Sequence, residues 1–315
     1  MARRPKNQAD GTPPAVQADL LAAAVGCEIN TLMSQPIPAG LYLVATPIGH
    51  LGDITLRALA LIATAETVYC EDTRTSQKLL GRYGITRALK TYHEHNAARL
   101  RPEILEKITA GQSVALISDA GTPAISDPGF KLARAVIEAG GDVMPVPGPV
   151  AAVAALTISG IATDRFLFAG FLNAKSSVRR KEIEQLAAIP ASLLFYEAPH
   201  RLQATLADLA ACLGNRPAVV ARELTKKYEE CRRGQLKDLI EWAGQVQVRG
   251  EITIVVAPPL TDAKIDVSDD VIADRLRHAW LSAPPSKAAK KVAEELGVSK
   301  ARVYAIGLEL KRYEQ

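Results

Sequence analysis

Residues 113–140 read SVALISDAGTPAISDPGFKLARAVIEAG, and this stretch decides the fold. The apolar run Ser113 to Ser118 predicts a buried strand, and the periodicity of Gly129 to Gly140 predicts a helix. Between them lies a loop of small residues and prolines that carries Asp119 and Asp127. In open α/β sheets, ligands bind where the carboxyl end of a strand leads into the next helix. The stretch therefore indicates an α/β fold with a ligand-binding loop.

The composition of this loop fits a ligand site. Small residues let the backbone approach a ligand closely, and both carboxylates can accept hydrogen bonds from hydroxyl or amino groups. The alternative is that Asp127 only caps the following helix and that Pro128-Gly129 only forms a turn. We favour the binding role, because the loop leaves a buried strand and enters a helix.

Strands alternate with helices along most of the chain, which predicts crossover units and parallel pairing. Three strand-like runs follow one another between residues 218 and 257, which predicts an antiparallel edge. We therefore predict an α/β class with two consecutive α/β domains and mixed, largely parallel sheets. The other strands are predicted at residues 41–46, 67–71, 142–146, 166–171, 192–196, 218–223, 228–233 and 251–257, with a short one before residue 93. The other helices are predicted at residues 53–65, 76–82, 97–110, 177–188 and 201–213, with one more beginning at residue 150.

Prolines mark the predicted domain boundaries. The segment Pro145-Val146-Pro147-Gly148-Pro149 can continue neither a helix nor a central strand, because three prolines remove amide donors and restrict their neighbours. Pro258-Pro259 ends the second domain in the same way. The predicted units are a mostly disordered leader with a short helix near 16–25 (1–37), two α/β domains (38–148 and 149–260) and a small helical domain (266–315).

The helical domain carries a possible helix-turn-helix. Helices are predicted near residues 270–282, 286–296 and 299–310. Ala293, Gly297 and Val303 have the spacing of a helix-turn-helix, with a small residue at the helix contact, a glycine in the turn and a buried aliphatic side chain. An ordinary helical hairpin is the alternative.

Composition limits the class of protein. Of the 315 residues 48% are hydrophobic, but no apolar run approaches the roughly 20 residues that span a bilayer. Four cysteines are scattered without a C-x-x-C pair, so we predict reduced thiols, a cytoplasmic location and no membrane association. The net charge is +4, and the basic residues are concentrated at both ends of the chain. This distribution allows a nucleic-acid partner without requiring one.

Two polar clusters follow predicted strands and should emerge at one sheet edge. They are Glu71-Asp72-Thr73-Arg74 and His93-Glu94-His95-Asn96. We predict no metal site, because we expect the imidazoles of His93 and His95 to point to opposite faces. A role in proton transfer or in RNA contact remains open, because imidazole titrates near neutral pH.

Other loops and basic groups are less specific. The first loop, Thr46 to Asp53, is neither a P-loop nor a G-x-G-x-x-G fingerprint, so it does not predict a nucleotide phosphate. Polar residues follow the strands at 192–196 and 218–223, and Lys175 with 179–181 form a predicted basic patch. Several such patches together favour a phosphate-rich partner modestly.

Seven motifs occur in order between Gly40 and Pro258. Together they closely resemble the ribosomal RNA small subunit methyltransferase I family of the tetrapyrrole methylase-like superfamily. Residues 286–310 resemble the C-terminal helical domain of that family. The motifs are TPIGHLGDIT (46–55), EDTR (71–74), HEHN (93–96), SDAGTPAISDPG (118–129), VPGPVAA (146–152), FYEAPHRL (195–202) and ARELTK (221–226).

The resemblance implies a fold, a reaction and a cofactor. It implies two α/β domains of tetrapyrrole methylase type with a small C-terminal helical domain, assembled as a homodimer. It implies methyl transfer from S-adenosylmethionine to the ribose 2′-oxygen of a cytidine in the decoding region of 16S rRNA, within the small ribosomal subunit. In the superfamily the cofactor lies in the cleft between the two α/β domains. By motif, the expected cofactor-binding residues are Pro47, Asp119, Ala120, Gly121, Thr122, Ile125, Pro149, Tyr196, Leu224 and Gly250.

The same resemblance implies that the EDTR and HEHN clusters face the RNA. A ribose hydroxyl is a poor nucleophile at neutral pH, so a group should take its proton, and Asp72 and His93 are the candidates. Water or a substrate phosphate are the alternatives. The expected RNA-binding residues are Arg74, His95, Asn96, Arg201, Lys226, Lys300 and Arg302.

Two other functions compete with this one. One is a tetrapyrrole C-methyltransferase that shares the core, and the other is a ligand-sensing DNA-binding regulator that uses the helix-turn-helix. The EDTR, HEHN and FYEAPHR clusters and the appended helical domain are typical of the RNA-modifying branch, which favours it over the tetrapyrrole enzyme. The family's motifs lie in the body of the chain rather than in its tail, which favours it over the DNA-binding regulator. His50 departs from the family pattern, which has asparagine at this position. The departure concerns only a specific contact of the asparagine amide and not the activity.

Overall fold

A computed structural model describes residues 15–259, 268–281, 283–296 and 298–313. The chain divides into two compact units. The first contains the chain up to Leu186 together with Ala191–Ala257, and the second contains Ala187–Pro190 together with the chain from Pro258 onward. The predicted α/β class is confirmed, because the first unit holds two five-stranded sheets covered by helices.

The first sheet has the strand order β3-β2-β4-β1-β5, and every neighbouring pair is parallel. Parallel pairing requires crossovers, and the helices between these strands supply them. The strands are β1 (Gly40–Val44), β2 (Thr67–Cys70), β3 (Leu89–Thr91), β4 (Ser113–Ile117) and β5 (Val143–Val146). The helices are α2 (Leu56–Thr64), α3 (Thr73–Arg82), α4 (Ala97–Thr109) and α5 (Phe130–Glu138).

The central strand β4 is buried on both faces, as its continuous apolar run predicts. Val114 and Leu116 pack into a core with α4 and α5, while Ala115 and Ile117 pack into a second core with α2 and α3. This alternation follows from the two-residue period of a strand. Helices therefore cover both faces of the sheet, which leaves the loops at the ends of its strands for ligand binding.

The second sheet has the order β6-β7-β10-β8-β9. The β6–β7 pair is parallel and the other three pairs are antiparallel. The sheet is mixed, as predicted, but "largely parallel" describes only the first sheet. The strands are β6 (Phe166–Phe171), β7 (Ser192–Glu197), β8 (Pro217–Arg222), β9 (Glu230–Gln235) and β10 (Ile252–Val256). The helices are α6 (Ala151–Ser159), α7 (Ser176–Leu186), α8 (Leu202–Leu213) and α9 (Leu236–Gln245).

The position of β10 differs from the expectation of an antiparallel edge. All five residues of β10 are buried, and the strand inserts between β7 and β8. The edge is instead β9, whose sequence ECRRGQ is polar and partly exposed. Charged side chains on an edge strand oppose unwanted pairing with other chains. Helix α9, between β9 and β10, is not among the sequence predictions.

A 20-residue helix, α1 (Ala15–Ser34), occupies most of the segment predicted as a disordered leader. The short helix predicted near 16–25 is present but twice as long, and the disorder predicted for residues 26–34 is wrong. Alanine and leucine dominate this segment, and they are strong helix formers. Residues 1–14 of the predicted leader lie outside the described residues.

The second unit contains three helices within its described part: α10 (Asp269–Trp280), α11 (Pro285–Leu296) and α12 (Lys300–Tyr313). They share a core that includes Ile272, Leu276 and Val292. Ala293 and Val303 of the predicted helix-turn-helix also lie in this core. Gly297, the predicted turn glycine, lies outside the described residues. No helix among the described residues is both long and apolar enough to cross a membrane.

A buried ion cluster ties α7 to α8. Arg179 and Asp208 are 4% and 8% exposed at their side chains, and their charged groups approach to 2.6 Å. Asp208 also pairs with Arg180 at 2.9 Å and accepts a hydrogen bond from the Ser176 hydroxyl at 2.8 Å. Arg179 therefore does not contribute to the surface patch that the sequence predicts around Lys175.

We expect Asp208→Asn to lower the free energy of unfolding by about 3–5 kcal/mol, because it leaves the buried Arg179 without its counter-charge. Urea denaturation measures the change. The control is Glu138→Gln, which removes an exposed ion pair with Arg134 and should shift stability by no more than about 0.5 kcal/mol. Equal effects of the two variants would contradict a structural role for the buried cluster.

Candidate active site

A short backbone bridge joins the loops that follow β1 and β4. The Thr46 amide donates to the Gly121 carbonyl at 2.8 Å, and the Gly121 amide donates to the Thr46 carbonyl at 3.0 Å. The Thr46 hydroxyl donates to the Ser118 carbonyl, and the Ser118 hydroxyl donates to the Gly121 carbonyl. Gly121 has φ +84°, a region that glycine tolerates best. The loops after two neighbouring parallel strands are thereby fixed to each other.

Beside this bridge lies a cavity of about 450 Å³, bounded by residues of both sheets. This volume lies in the range of small-molecule sites, roughly 300–1,000 Å³. Apolar and polar groups both contribute to its wall. It is lined by Ile48, Glu71, Asp119, Ala120, Gly121, Thr122, Ile125, Ser126, Asp127, Val150, Ala151, Phe171, Tyr196, Glu197, Ala198, Pro199, Ala221, Leu224, Gly250, Glu251, Ile252 and Thr253.

The backbone is strained on two sides of this cavity. Among the described residues other than glycine, positive φ occurs at Ala124, Ser126, Glu223 and Thr225. The first two flank Ile125, and the last two flank Leu224, and both apolar side chains line the cavity. Non-glycine residues in this region cost free energy and cluster at functional sites. The strain therefore marks both loops as parts of a binding site.

Besides Glu197, which pairs with Arg201, four acidic residues line the cavity: Glu71, Asp119, Asp127 and Glu251. Burial raises the pKa of Asp127 to about 7, and the negative charges of the other three add to the shift. Burial also raises the pKa of Glu71 and of Asp119. A cavity with this lining is electronegative, so it favours a ligand that carries positive charge.

Internal partners distinguish these carboxyl groups. Asp119 accepts the Asp72 amide at 2.9 Å, and Glu251 pairs with Lys226 at 3.0 Å. Glu71 and Asp127 have no hydrogen bond or ion pair with any described residue. The helix α5 begins after Gly129 without a side-chain cap. The alternative reading of Asp127 as a helix cap therefore does not hold.

Aromatic side chains form another part of the wall. The ring of Tyr196 lies 4.8 Å from Phe168 and 5.5 Å from Phe171, centroid to centroid. The Tyr196 hydroxyl accepts the Ala152 amide at 3.2 Å, at the start of α6. Burial raises the pKa of Tyr196. Phe171 is largely exposed, which leaves an aromatic surface open to a ligand.

The structure brings together most of the residues that the resemblance assigns to the cofactor. Pro47 and Pro149 are absent from the lining, but their neighbours Ile48 and Val150 belong to it. The assigned residues that line the cavity are Asp119, Ala120, Gly121, Thr122, Ile125, Tyr196, Leu224 and Gly250.

Several lining residues are missing from the sequence predictions. Phe171 ends β6, and Glu251 and Thr253 lie at the start of β10. These strands read FLFAGF and ITIVV, and such apolar runs carry no sign of a ligand, so only the sheet order reveals their position. The sequence did indicate Glu71 as a site residue, because it belongs to the EDTR cluster predicted at this sheet edge.

Asp72, a predicted catalytic residue, lies outside the cavity lining. Its carboxylate accepts the Arg74 amide at 2.8 Å and caps α3. This hydrogen bond lowers the pKa of Asp72. A carboxylate that is already used as a helix cap and has a lowered pKa is a weak proton acceptor.

His93, the second predicted catalytic residue, and His95 lie in a turn before α4. Their rings meet edge to face, with centroids 5.9 Å apart. The expectation of opposite faces is wrong, because side chains two residues apart share a face and the turn keeps them adjacent. Asn96 accepts the His93 amide at 2.9 Å and donates to the Thr91 carbonyl at 3.1 Å, so its side chain stabilises the turn. Within the described ranges, no group of His, Cys, Asp or Glu is arranged to hold a metal ion.

The predicted RNA-binding cations differ in exposure. Arg74 is 87% exposed, three residues after Glu71 of the cavity wall, and Lys300 is exposed at the start of α12. Arg201 is 21% exposed and pairs with the buried Glu197. Lys226 is 27% exposed and pairs with Glu223 at 3.1 Å, besides Glu251. Arg302 pairs with Asp269 at 2.8 Å.

His50 has a local role. Its Nδ1 accepts the Gly52 amide at 3.1 Å and caps the short 3-10 helix Leu51–Asp53. The His50 amide donates to the Thr225 hydroxyl at 3.0 Å, which connects the first loop to the loop after β8. An asparagine oxygen makes the same kind of cap, so histidine can replace the asparagine of the family pattern here.

Comparisons with known proteins decide the family. Residues 40–240 match the sequence model of the family described as Tetrapyrrole (Corrin/Porphyrin) Methylases. Ribosomal RNA small subunit methyltransferase I of Mesorhizobium japonicum is 48% identical over 281 residues, which cover 88% of this chain and 94% of that protein. The protein of the same name from Synechocystis sp. is 44% identical, covering 86% of this chain and 98% of its own. The chain belongs to the ribosomal RNA small subunit methyltransferase I family. Its members are enzymes, and the predicted membership is confirmed.

Solved structures share the fold of this ribosomal RNA small subunit methyltransferase I family member. Cobalt precorrin-4 methyltransferase matches with a TM-score of 0.53 and 18% identity, covering 69% of this chain and 94% of its own. Uroporphyrin-III C-methyltransferase of Thermus thermophilus, complexed with S-adenyl homocysteine, matches with a TM-score of 0.52 and 21% identity, covering 69% and 97%. At this level of identity the likeness concerns the fold alone.

Gly250 provides a test of the cavity wall in this family member. It has φ +87°, and an added Cβ would collide with the Glu223 side chain, which holds Lys226 and the Glu251 amide. We expect Gly250→Ala to lower the free energy of unfolding by about 1–3 kcal/mol, measured by urea denaturation. Gly81→Ala is the control, because Gly81 lies in α3 with open space around it, and alanine should there be neutral or slightly stabilising. An unchanged stability of Gly250→Ala would contradict the strained geometry.

Proposed function

We propose that this chain methylates the ribose 2′-oxygen of a cytidine in the decoding region of 16S rRNA, with S-adenosylmethionine as the methyl donor. The observation that carries the proposal is similarity at 48% identity over 94% of a relative named for ribosomal RNA small subunit methylation. The substrate is the rRNA within the small ribosomal subunit, and the enzyme acts in the cytoplasm as a homodimer. The tetrapyrrole methylases contribute only a likeness of fold, so they favour no second function.

The residues of the cavity fit S-adenosylmethionine. This cofactor carries a sulfonium and an ammonium cation, and the wall offers the carboxyl groups of Glu71, Asp119 and Asp127. Apolar side chains such as Ile48 and Leu224 suit its uncharged parts. The loop from Asp119 to Ile125, together with Tyr196, Leu224 and Gly250, would hold it.

When bound, S-adenosylmethionine supplies a methyl carbon that is open to attack by an oxygen nucleophile. The chain must then orient the ribose hydroxyl, exclude competing water and receive the hydroxyl proton. The bridged loops at Thr46 and Gly121 give the site a fixed wall for orientation. The partly exposed ring of Phe171 offers a surface on which a nucleobase can stack.

The exposed cations are the proposed RNA contacts. Arg74 and His95 lie in the EDTR and HEHN clusters, and Lys300 lies at the start of α12. Arg302 on the same helix already pairs with Asp269. Phosphate contacts of this kind position an RNA, while the site itself selects the nucleotide. Asn96, Arg201 and Lys226 are less suited, because their polar groups are engaged inside the chain.

The first experiment transfers labelled methyl from S-adenosylmethionine to purified small subunits that lack this modification. We expect label on the 2′-oxygen of one decoding-region cytidine, mapped by nuclease digestion and mass spectrometry. Subunits that already carry the methyl group are the control and should take up no label. Absence of label on subunits and on free rRNA, with cofactor binding intact, would overturn the proposal and direct the search to tetrapyrroles.

We expect Arg74→Ala to weaken binding of the small subunit and to reduce the slope of log affinity against log salt by about 1, because one phosphate contact is lost. Affinity for S-adenosylhomocysteine should not change. Filter binding over a salt series measures the first effect, and calorimetry measures the second. The control is Arg134→Ala on α5, where the arginine pairs with Glu138. An unaltered salt slope in Arg74→Ala would remove Arg74 from the RNA contacts.

A further inference from the structure

The reaction proposed above needs a group that receives the ribose proton, and two predicted candidates are poorly placed for it. Asp72 caps α3 and does not line the cavity. His93 also lies outside the cavity lining, in the turn before α4. A side chain that accepts this proton must instead lie on the wall, within reach of the reacting oxygen.

The existing partners of the acidic residues on the wall leave two candidates for the proton acceptor. Of its acidic residues, Glu197 is buried and holds Arg201 and the Thr205 hydroxyl. Asp119 and Glu251 are engaged with the Asp72 amide and Lys226. Glu71 and Asp127 retain carboxylates that make no hydrogen bond or ion pair within the described part of the chain. These two groups are free to accept a proton from a ligand.

The geometry of the loop favours Asp127 over Glu71. Asp127 lies between Ser126, which has φ +62°, and Pro128, which restricts the residue before it. The Ala124 amide donates to the Pro128 carbonyl at 3.3 Å and closes the loop around Asp127. Its position is therefore fixed by the backbone, whereas Glu71 has one more rotatable bond.

The surrounding charges also favour Asp127 as a proton acceptor. Glu71 follows β2, Asp119 follows β4, Glu251 precedes β10, and all three carboxyl groups act on Asp127. The phenol of Tyr196 on β7 faces the same cavity. Gaining a proton relieves repulsion among these carboxylates, so Asp127 has a higher proton affinity than an isolated aspartate.

We propose that Asp127 is the catalytic base that accepts the ribose hydroxyl proton during methyl transfer. The 2′-oxygen forms a bond to the methyl carbon, the carbon–sulfur bond breaks with its electron pair on sulfur, and the hydroxyl proton passes to a carboxylate oxygen of Asp127. The proton then leaves to solvent through the open cavity. The inference rests on the proposed function.

The proposal implies a pH dependence with a defined sign. Asp127 accepts a proton only when it is deprotonated, and burial raises its pKa to about 7. A bound sulfonium cation would lower this value. We therefore expect the single-turnover rate to rise with pH and to level off with an inflection at or below about 7.

The experiment measures single-turnover methyl transfer to unmodified small subunits from pH 5.5 to 8.5, at saturating S-adenosylmethionine. Asp127→Asn should slow the reaction by about 100-fold or more and abolish the pH inflection. Its affinity for S-adenosylhomocysteine, measured by calorimetry, should fall by less than about 10-fold, because this probe lacks the sulfonium charge and Glu71 and Asp119 still face its ammonium group. Asp127→Glu should restore part of the rate.

Two further variants test the assignment. Glu71→Gln should keep the pH inflection and move it to lower pH, because one negative charge beside Asp127 is removed. Glu138→Gln, at an exposed ion pair with Arg134, should change neither rate nor inflection. A merely structural role for Asp127 would not produce the shift in Glu71→Gln.

Three results would overturn the inference. They are a rate within 10-fold of wild type for Asp127→Asn with the inflection kept, a loss in Glu71→Gln rather than in Asp127→Asn, and a loss confined to cofactor affinity. If the wild type labels subunits and Asp127→Asn does so equally, only this inference fails. If the wild type labels no RNA, the proposed function fails, and this inference fails with it.

Discussion

The backbone bridge between Thr46 and Gly121 is the constraint on which the site depends. Two reciprocal amide–carbonyl hydrogen bonds hold the loop after β1 against the loop after β4. Both strands are central in an all-parallel sheet, so their carboxyl ends lie side by side. The bridge turns this adjacency into a rigid wall, with Ile48 on one loop and Asp119 to Ile125 on the other. A site that must align a nucleophile with a methyl group benefits from such rigidity.

The opposite wall has a different origin. It comes from a mixed sheet in which β10 inserts between β7 and β8. That insertion brings Glu251 and Thr253 beside Tyr196, which lies on the neighbouring strand. The strained pair Glu223 and Thr225 then carries Leu224 into the same wall. The cavity therefore requires a crossover topology on one side and antiparallel pairing on the other.

This difference explains what the sequence predicts and what it does not. The loops after β2 and β4 were predictable, because buried parallel strands have continuous apolar runs and their polar ends share an edge. The lining by Phe171 and Glu251 was not predictable, because it depends on the order of strands in the second sheet. Burial of Arg179 was not predictable either. In the sequence it is one of several neighbouring cations, and its counter-charge Asp208 lies on another helix.

Electrostatics place a further constraint on how an RNA could approach this cavity. Its wall carries Glu71, Asp119 and Asp127, so the anionic phosphates of an RNA are disfavoured inside it, while a cationic cofactor is favoured. The phosphate contacts should therefore lie outside the wall, and Arg74 is an exposed cation that does not belong to the lining. In the proposed reaction, a nucleoside that enters the cavity presents an uncharged ribose and base, and its hydroxyl loses a proton as the oxygen is methylated. An acidic lining that holds one carboxylate close to its titration point suits that event, because the same group can be neutralised by the proton and recharged by solvent in each turnover.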